Sequence, residues 1–98
     1  MGYQAIASGN ESVAIGYSAD ATNNGCVALG DRALANITNG VAIGSQVTAV
    51  YADGTTVNNF AIANYASLNY ADDTAAAAGG VPLGGVYHTS GSLKIRIA

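Results

Sequence analysis

The first half of the chain repeats every 14 residues, and that period decides most of what it can fold into. Val13-Ala14-Ile15-Gly16 returns as Val27-Ala28-Leu29-Gly30 and as Val41-Ala42-Ile43-Gly44. Gly2-Tyr3-Gln4-Ala5 corresponds to Gly16-Tyr17-Ser18-Ala19, Gly30-Asp31-Arg32-Ala33 and Gly44-Ser45-Gln46-Val47, and Ala7, Ala21, Ala35 and Ala49 fall in the same register. Helical repeats run to about 33–47 residues, so this unit is too short to be one. Within it, Val13 and Ile15 alternate with Ala14, and Ala19 and Ala21 flank Asp20. That alternation is the two-residue period of strands. Each unit therefore predicts two short strands with a turn after each. Gly2, Gly16, Gly30 and Gly44 mark one turn, where a positive φ excludes most other residues. Gly9-Asn10-Glu11, Asn23-Asn24-Gly25 and Thr38-Asn39-Gly40 mark the other.

A strict repeat of this kind predicts coils stacked in parallel, each about 4.8 Å above the last. The expected fold is all-β: a parallel β-roll of 14-residue coils. One coil cannot bury its apolar face alone, so stacking and contacts with other chains must do it. Val13, Ile15, Val27, Leu29, Val41 and Ile43, with Phe60 and Ile62 further on, are the candidates for the core of the coil or of an assembly. Alanines at inward positions let backbones approach closely.

Composition points to assembly. A 98-residue chain has a marginal core of its own. Cys26 is alone and cannot form an internal disulfide, and one His with one Cys cannot build a four-ligand metal site. Only 9% of residues are charged, against about 25% in a typical domain. Such a surface suits a chain largely covered by copies of itself. Arg32, Lys94 and Arg96 are the only Lys or Arg residues, too few and too scattered for nucleic acid. No apolar run reaches the ~18–20 residues of a membrane span, and no basic region followed by an apolar stretch opens the chain.

The unit Val-Ala-Ile-Gly-x-x-Ala-x-Ala, as it stands at Val13 to Ala21, resembles the head repeat of trimeric autotransporter adhesins of the YadA type. The resemblance covers about residues 1–50. It implies a left-handed parallel β-roll, three chains intertwined or side by side as a homotrimer, and an outer surface able to bind host matrix proteins. The family's neck, coiled-coil stalk and membrane anchor have no counterpart in these 98 residues.

After Val50 the expected organisation changes. Asp53-Gly54 is a turn signal, and residues 51–56 read as an inserted loop. Phe60-Ala61-Ile62-Ala63 resembles a degenerate Val-Ala-Ile-Gly unit, so 57–69 read as a capping coil closing a roll domain of residues 1–70. Residues 71–80 form an Ala/Gly linker, in which Asp72-Asp73-Thr74 caps a helical turn stopped by Gly79. Residues 81–98 read as a β-hairpin: Val81 to His88, a turn at Thr89-Ser90-Gly91-Ser92, then Leu93-Lys94-Ile95-Arg96-Ile97 with alternating apolar and basic faces. Those last five residues are the candidates for partner docking. The stretch from Asp73 to His88, with Leu93 to Ile97, is similar to C-terminal segments of small bacteriophage head-fibre, decoration and tail proteins. That likeness implies a virion role.

Catalytic and cofactor chemistry find little support. His88 is the only His, with no spacing that suggests a triad, and reads as a surface or interface residue. Cys26 occupies the register of Ser12 and Gly40 and reads as a small apolar filler. Asp72-Asp73 lacks the spaced ligands of a calcium loop. Asn10-Glu11-Ser12 and Asn36-Ile37-Thr38 match the glycosylation pattern by chance in a repeat rich in those residues. Tyr3 and Tyr17 share a repeat position and are expected to stack at an assembly seam. The expectation is a non-enzymatic homotrimer without metal or cofactor, touching neither nucleic acid nor membrane. On the phage reading it decorates or cements a virion by docking on the major capsid protein or another virion protein. The alternative is an adhesin head at a bacterial surface, binding a host receptor.

Overall fold

The computed structural model describes residues 1–98, which divide into two compact units, Met1–Phe60 and Ala61–Ala98. The first is the parallel β-solenoid, of about four turns. Its strands are β1 (Ile6–Ala7), β2 (Val13–Ile15), β3 (Asp20–Ala21), β4 (Val27–Leu29), β5 (Leu34–Ala35), β6 (Val41–Ile43) and β7 (Thr55–Val57). They form two parallel sheets, β1-β3-β5 and β2-β4-β6-β7. Every register step is one repeat: Val13 pairs with Val27, Val27 with Val41, and Ile6 with Asp20.

The corners stack as regularly as the strands. Gly16 and Gly30 take φ values of 131° and 132°, and Ser18 and Arg32, two residues later, take 53° and 57°. Ala19 N–H then donates to Gly16 C=O and closes the turn at 3.2 Å. A Cβ on Gly16 would lie 2.5 Å from the Gly30 carbonyl oxygen of the next coil, so this column needs glycine for closeness as well as for φ. The turn amides also bond along the stack: Ser18 N–H donates to Tyr3 C=O and Arg32 N–H to Tyr17 C=O. A backbone donor buried without a partner is expensive, and here the next coil supplies the partner.

The interior is alanine. Ala14, Ala28 and Ala42 at the strand centres are buried, with Ala19, Ala33 and Val47 beside one corner and Ala21, Ala35 and Ala49 in the facing sheet. Cys26 fills the other corner, its thiol donating to Ile37 C=O at 3.0 Å. The coil-core expectation is thereby corrected. Val13, Ile15 and Ile43 point away from the interior and are 40–42% exposed, while Val27, Leu29 and Val41 are half-buried. At the strand centres the alanine methyl groups turn in, and the larger side chains on either side of them turn out.

Residues 51–56 do not interrupt the stack. Thr55–Val57 pairs in parallel with Val41–Ile43, Val41 opposite Thr55, so the 14-residue period runs on through Asp53-Gly54. No strand forms at Phe60-Ala61-Ile62-Ala63; Phe60 is 73% exposed and Ile62 half-buried. That segment has the right residue types but begins 19 residues after Val41, out of hydrogen-bonding register with the coils.

In the second unit, a 3-10 turn at Tyr65–Leu68 precedes helix α1 (Asp73–Ala78) and the hairpin of β8 (Val86–Thr89) and β9 (Ser92–Ile95). Asp72 caps α1, accepting from Ala75 N–H at 2.9 Å. Ser90 and Gly91 both take positive φ, as a two-residue hairpin turn requires. Val81 to Gly85 lies before β8, with Gly85 N–H folding back to Pro82 C=O. The core of this unit is Ala76, Val81 and Tyr87, with Leu68 and Tyr70 packed against it.

Candidate functional site

The most conspicuous feature of the solenoid is the outer face of its four-stranded sheet. Strict parallel register places Val13, Val27, Val41 and Thr55 in one row, and Ile15, Leu29, Ile43 and Val57 in a second. Alternation forces this: once the central alanine of each Val-Ala-Ile faces inward, both neighbours face out. The rows contain no charge, and the exposed Val13, Ile15, Ile43 and Val57 leave a continuous apolar strip. Contiguous exposed apolar surface of this kind marks an interaction site.

A second column starts beside the glycine corners. Tyr3 and Tyr17 stack with ring centroids 5.5 Å apart and planes 14° from parallel. The Arg32 guanidinium lies 5.8 Å from the Tyr17 centroid and Arg32 Nη1 is 3.4 Å from Asp31 Oδ2. On the other sheet, Asp20 stands between Ile6 and Leu34 in register, and its Oδ1 has no hydrogen-bond partner.

In the second unit, His88 is buried instead of lying on the surface. Its ring stacks on Tyr65, centroids 4.0 Å apart and planes 3° apart. Gly91 N–H donates to Nδ1 at 2.9 Å, which fixes the proton on Nε2, and Nε2–H donates to Tyr65 C=O at 2.9 Å. The histidine is a structural clamp between the hairpin turn and the 3-10 segment.

Asp73 holds the end of the chain. Its carboxylate accepts from the Tyr87 hydroxyl at 2.6 Å, and from the N–H groups of Ile97 and Ala98 at 2.9 and 3.1 Å. The Tyr87 hydrogen bond foremost, then the two amides and the nearby Arg96 charge, hold Asp73 below the ordinary carboxylate value of 3.8, against desolvation. The same hydrogen bond, with burial and the negative charge, pushes Tyr87 up to about 12.

Of the five residues singled out for docking, Arg96 is already engaged within its own unit. Its Nη1 donates to Val81 C=O at 2.9 Å and its Nε to Ala98 C=O at 3.1 Å. Leu93, Lys94, Ile95 and Ile97 are exposed. Two features lacked a strong sequence signal. Val57 extends the apolar row, and only the spacing of Gly54 from Gly40 announces it. Tyr65 pairs with His88 across 23 residues, with no local signature.

Comparison with known families finds one likeness, within the solenoid. Residues 1–19 and 21–46 match the YadA head domain repeat, giving two copies. No curated protein and no solved structure matches the chain. The likeness of the C-terminal segment to bacteriophage structural proteins receives no support from these comparisons.

Proposed function

We propose that the solenoid is the head module of a trimeric adhesin displayed on a bacterial cell surface, acting by binding and without catalysis. The observation that carries this reading is the uncharged double row Val13/Val27/Val41 and Ile15/Leu29/Ile43, turned outward from an alanine interior. Three such rows meeting around an axis remove the strip from water, which is the main driving force of association. A closed ring of three repeats one heterologous contact at every boundary and leaves no sticky end. The YadA head repeat supports the same arrangement, since heads of that type are surface-exposed parts of adhesins. Coil surfaces turned away from the seam then remain for a host-surface ligand.

Molar mass in solution tests the proposal. Light scattering on the full chain is expected to give three times the 9.7 kDa of one chain. Ile43→Asp, which places a charge in the row without touching the interior, is expected to abolish that species. A monodisperse, well-folded single chain at about 10 μM, well above a tight assembly constant, would remove the reading.

A further inference from the structure

The C-terminal hairpin has one free edge. Arg96 N–H donates to Gly85 C=O at 2.9 Å, so Gly85 and Arg96 form a hydrogen-bonded pair of the antiparallel ladder. Bonded pairs alternate with non-bonded ones. Given the register Val86–Ile95, Tyr87–Lys94, His88–Leu93 and Thr89–Ser92, the next bonded pairs are Tyr87/Lys94 and Thr89/Ser92. Leu93 and Ile95 therefore turn their N–H and C=O groups away from β8, and no other segment bonds to them. The opposite edge is closed: Tyr70 N–H donates to His88 C=O and Asn69 bridges to His88. The outer edge of β9 thus carries an unpaired ladder at the two residues whose side chains are 65% and 58% exposed. Ile97, one step further, already donates to Asp73, which marks where the free edge stops.

Charge decides the occupant. A second β9 pairing antiparallel in the matching register would set Lys94 opposite Lys94, which is unfavourable and is the usual way an edge resists self-pairing. Lys94 is the one exposed cation on the edge, because Arg96 is committed to carbonyl oxygens. We propose that β9 accepts an extended segment of a different polypeptide, with small apolar residues alongside Leu93 and Ile95 and a carboxylate across from Lys94. Main-chain bonds supply the affinity and the alternate side chains the selectivity. This inference is independent of how the solenoid assembles.

The experiment uses the full chain and two labelled peptides, Thr-Val-Asp-Val-Thr and Thr-Val-Lys-Val-Thr, read by fluorescence polarisation at low salt. The Asp peptide is expected to bind about fivefold or more tightly than the Lys peptide, the scale of a cross-strand charge pair. Lys94→Glu, a change of an exposed side chain, is expected to reverse the order. Amide exchange at Leu93 and Ile95 is expected to slow on saturation with the Asp peptide, with Lys94 unchanged. Equal affinity of the two peptides, no binding of either at millimolar concentration, or protection that appears without peptide through pairing of two chains at Leu93 and Ile95 would each overturn the proposal.

Discussion

Two glycines of one column separate the conformational role of the corner from its steric role. Gly30 and Gly44 take nearly the same backbone, φ 132° and 127°. Alanine at either position suffers the same dihedral strain, of order 1–3 kcal/mol. They differ in what lies above. A Cβ on Gly30 would sit 2.5 Å from the Gly44 carbonyl oxygen, where ordinary contact begins at 3.4 Å. A Cβ on Gly44 meets only the side chains of Val47 at 3.0 Å and Asn58 at 3.6 Å, which can yield. Relieving the Gly30 clash means parting two coils by about 0.9 Å, which strains the bonds from Gly44 N–H to Leu29 C=O and Gln46 N–H to Asp31 C=O, both 2.8 Å. At about 0.5–1.5 kcal/mol net for each bond, Gly30→Ala is expected to be less stable than Gly44→Ala by about 1–3 kcal/mol per chain. Urea unfolding followed by far-UV circular dichroism, at one protein concentration for both variants, measures the difference. Equal destabilisation within about 0.5 kcal/mol, the usual scatter of independent sites, would refute the claim that close stacking fixes this column.

Other consequences follow from the interior and from the second unit. Ala28→Leu, between buried Ala14 and Ala42, is expected to overpack the roll by about 1–3 kcal/mol or more in the same urea assay. His88→Ala removes the ring between Gly91 N–H and Tyr65 C=O and is expected to lose about 2–3 kcal/mol, seen as faster amide exchange confined to residues 61–98. Asp73 is depressed on folding, so its stabilisation is complete above pH 3.8 and lost as pH falls through the lower folded value; Asp73→Asn is expected to remove this acid limb. Tyr87 is raised on folding, so its stabilisation is complete below pH 10 and lost as pH rises through about 12; Tyr87→Phe is expected to delete the tyrosinate absorbance step there.

The solenoid was legible because its hydrogen bonds link residues 14 apart, and that constraint writes itself into the chain as a period. The same fact explains the misreading beyond Val50. Phe60-Ala61-Ile62-Ala63 has the look of a repeat unit, whereas Thr55-Thr56-Val57 does not, yet only the latter lies one period after Val41. Register outranks resemblance, because a strand out of step leaves its backbone groups unpaired. Which face of Val-Ala-Ile turns inward was less visible, since alternation shows that two faces differ and says nothing of the gap between sheets. Alanine at the centres of β2, β4 and β6 carried that information through its volume. The burial of His88 depends on Tyr65, far along the chain, and no local pattern encodes it.

The proposed trimer makes the stability of the solenoid depend on concentration. An interior alanine hides a single methyl group, worth about 0.8 kcal/mol, while a fully covered Val or Ile is worth about 1.5–3 kcal/mol. The larger gain in each coil therefore lies on its outer face and is collected only on association. For three chains unfolding together, a tenfold dilution lowers the stability of the assembly by about 2.8 kcal/mol, or about 0.9 kcal/mol per chain, by mass action. Between 100 μM and 1 μM the change is twice that, about 1.9 kcal/mol per chain, so the melting temperature of the full chain is expected to fall by roughly 7–15 °C, at about 4–8 °C per kcal/mol in a domain of this size. Ile43→Asp is expected to show a lower melting temperature with no such dependence. A wild-type melting temperature constant across that range would mean that the alanine interior suffices alone, and that the apolar rows have some other partner.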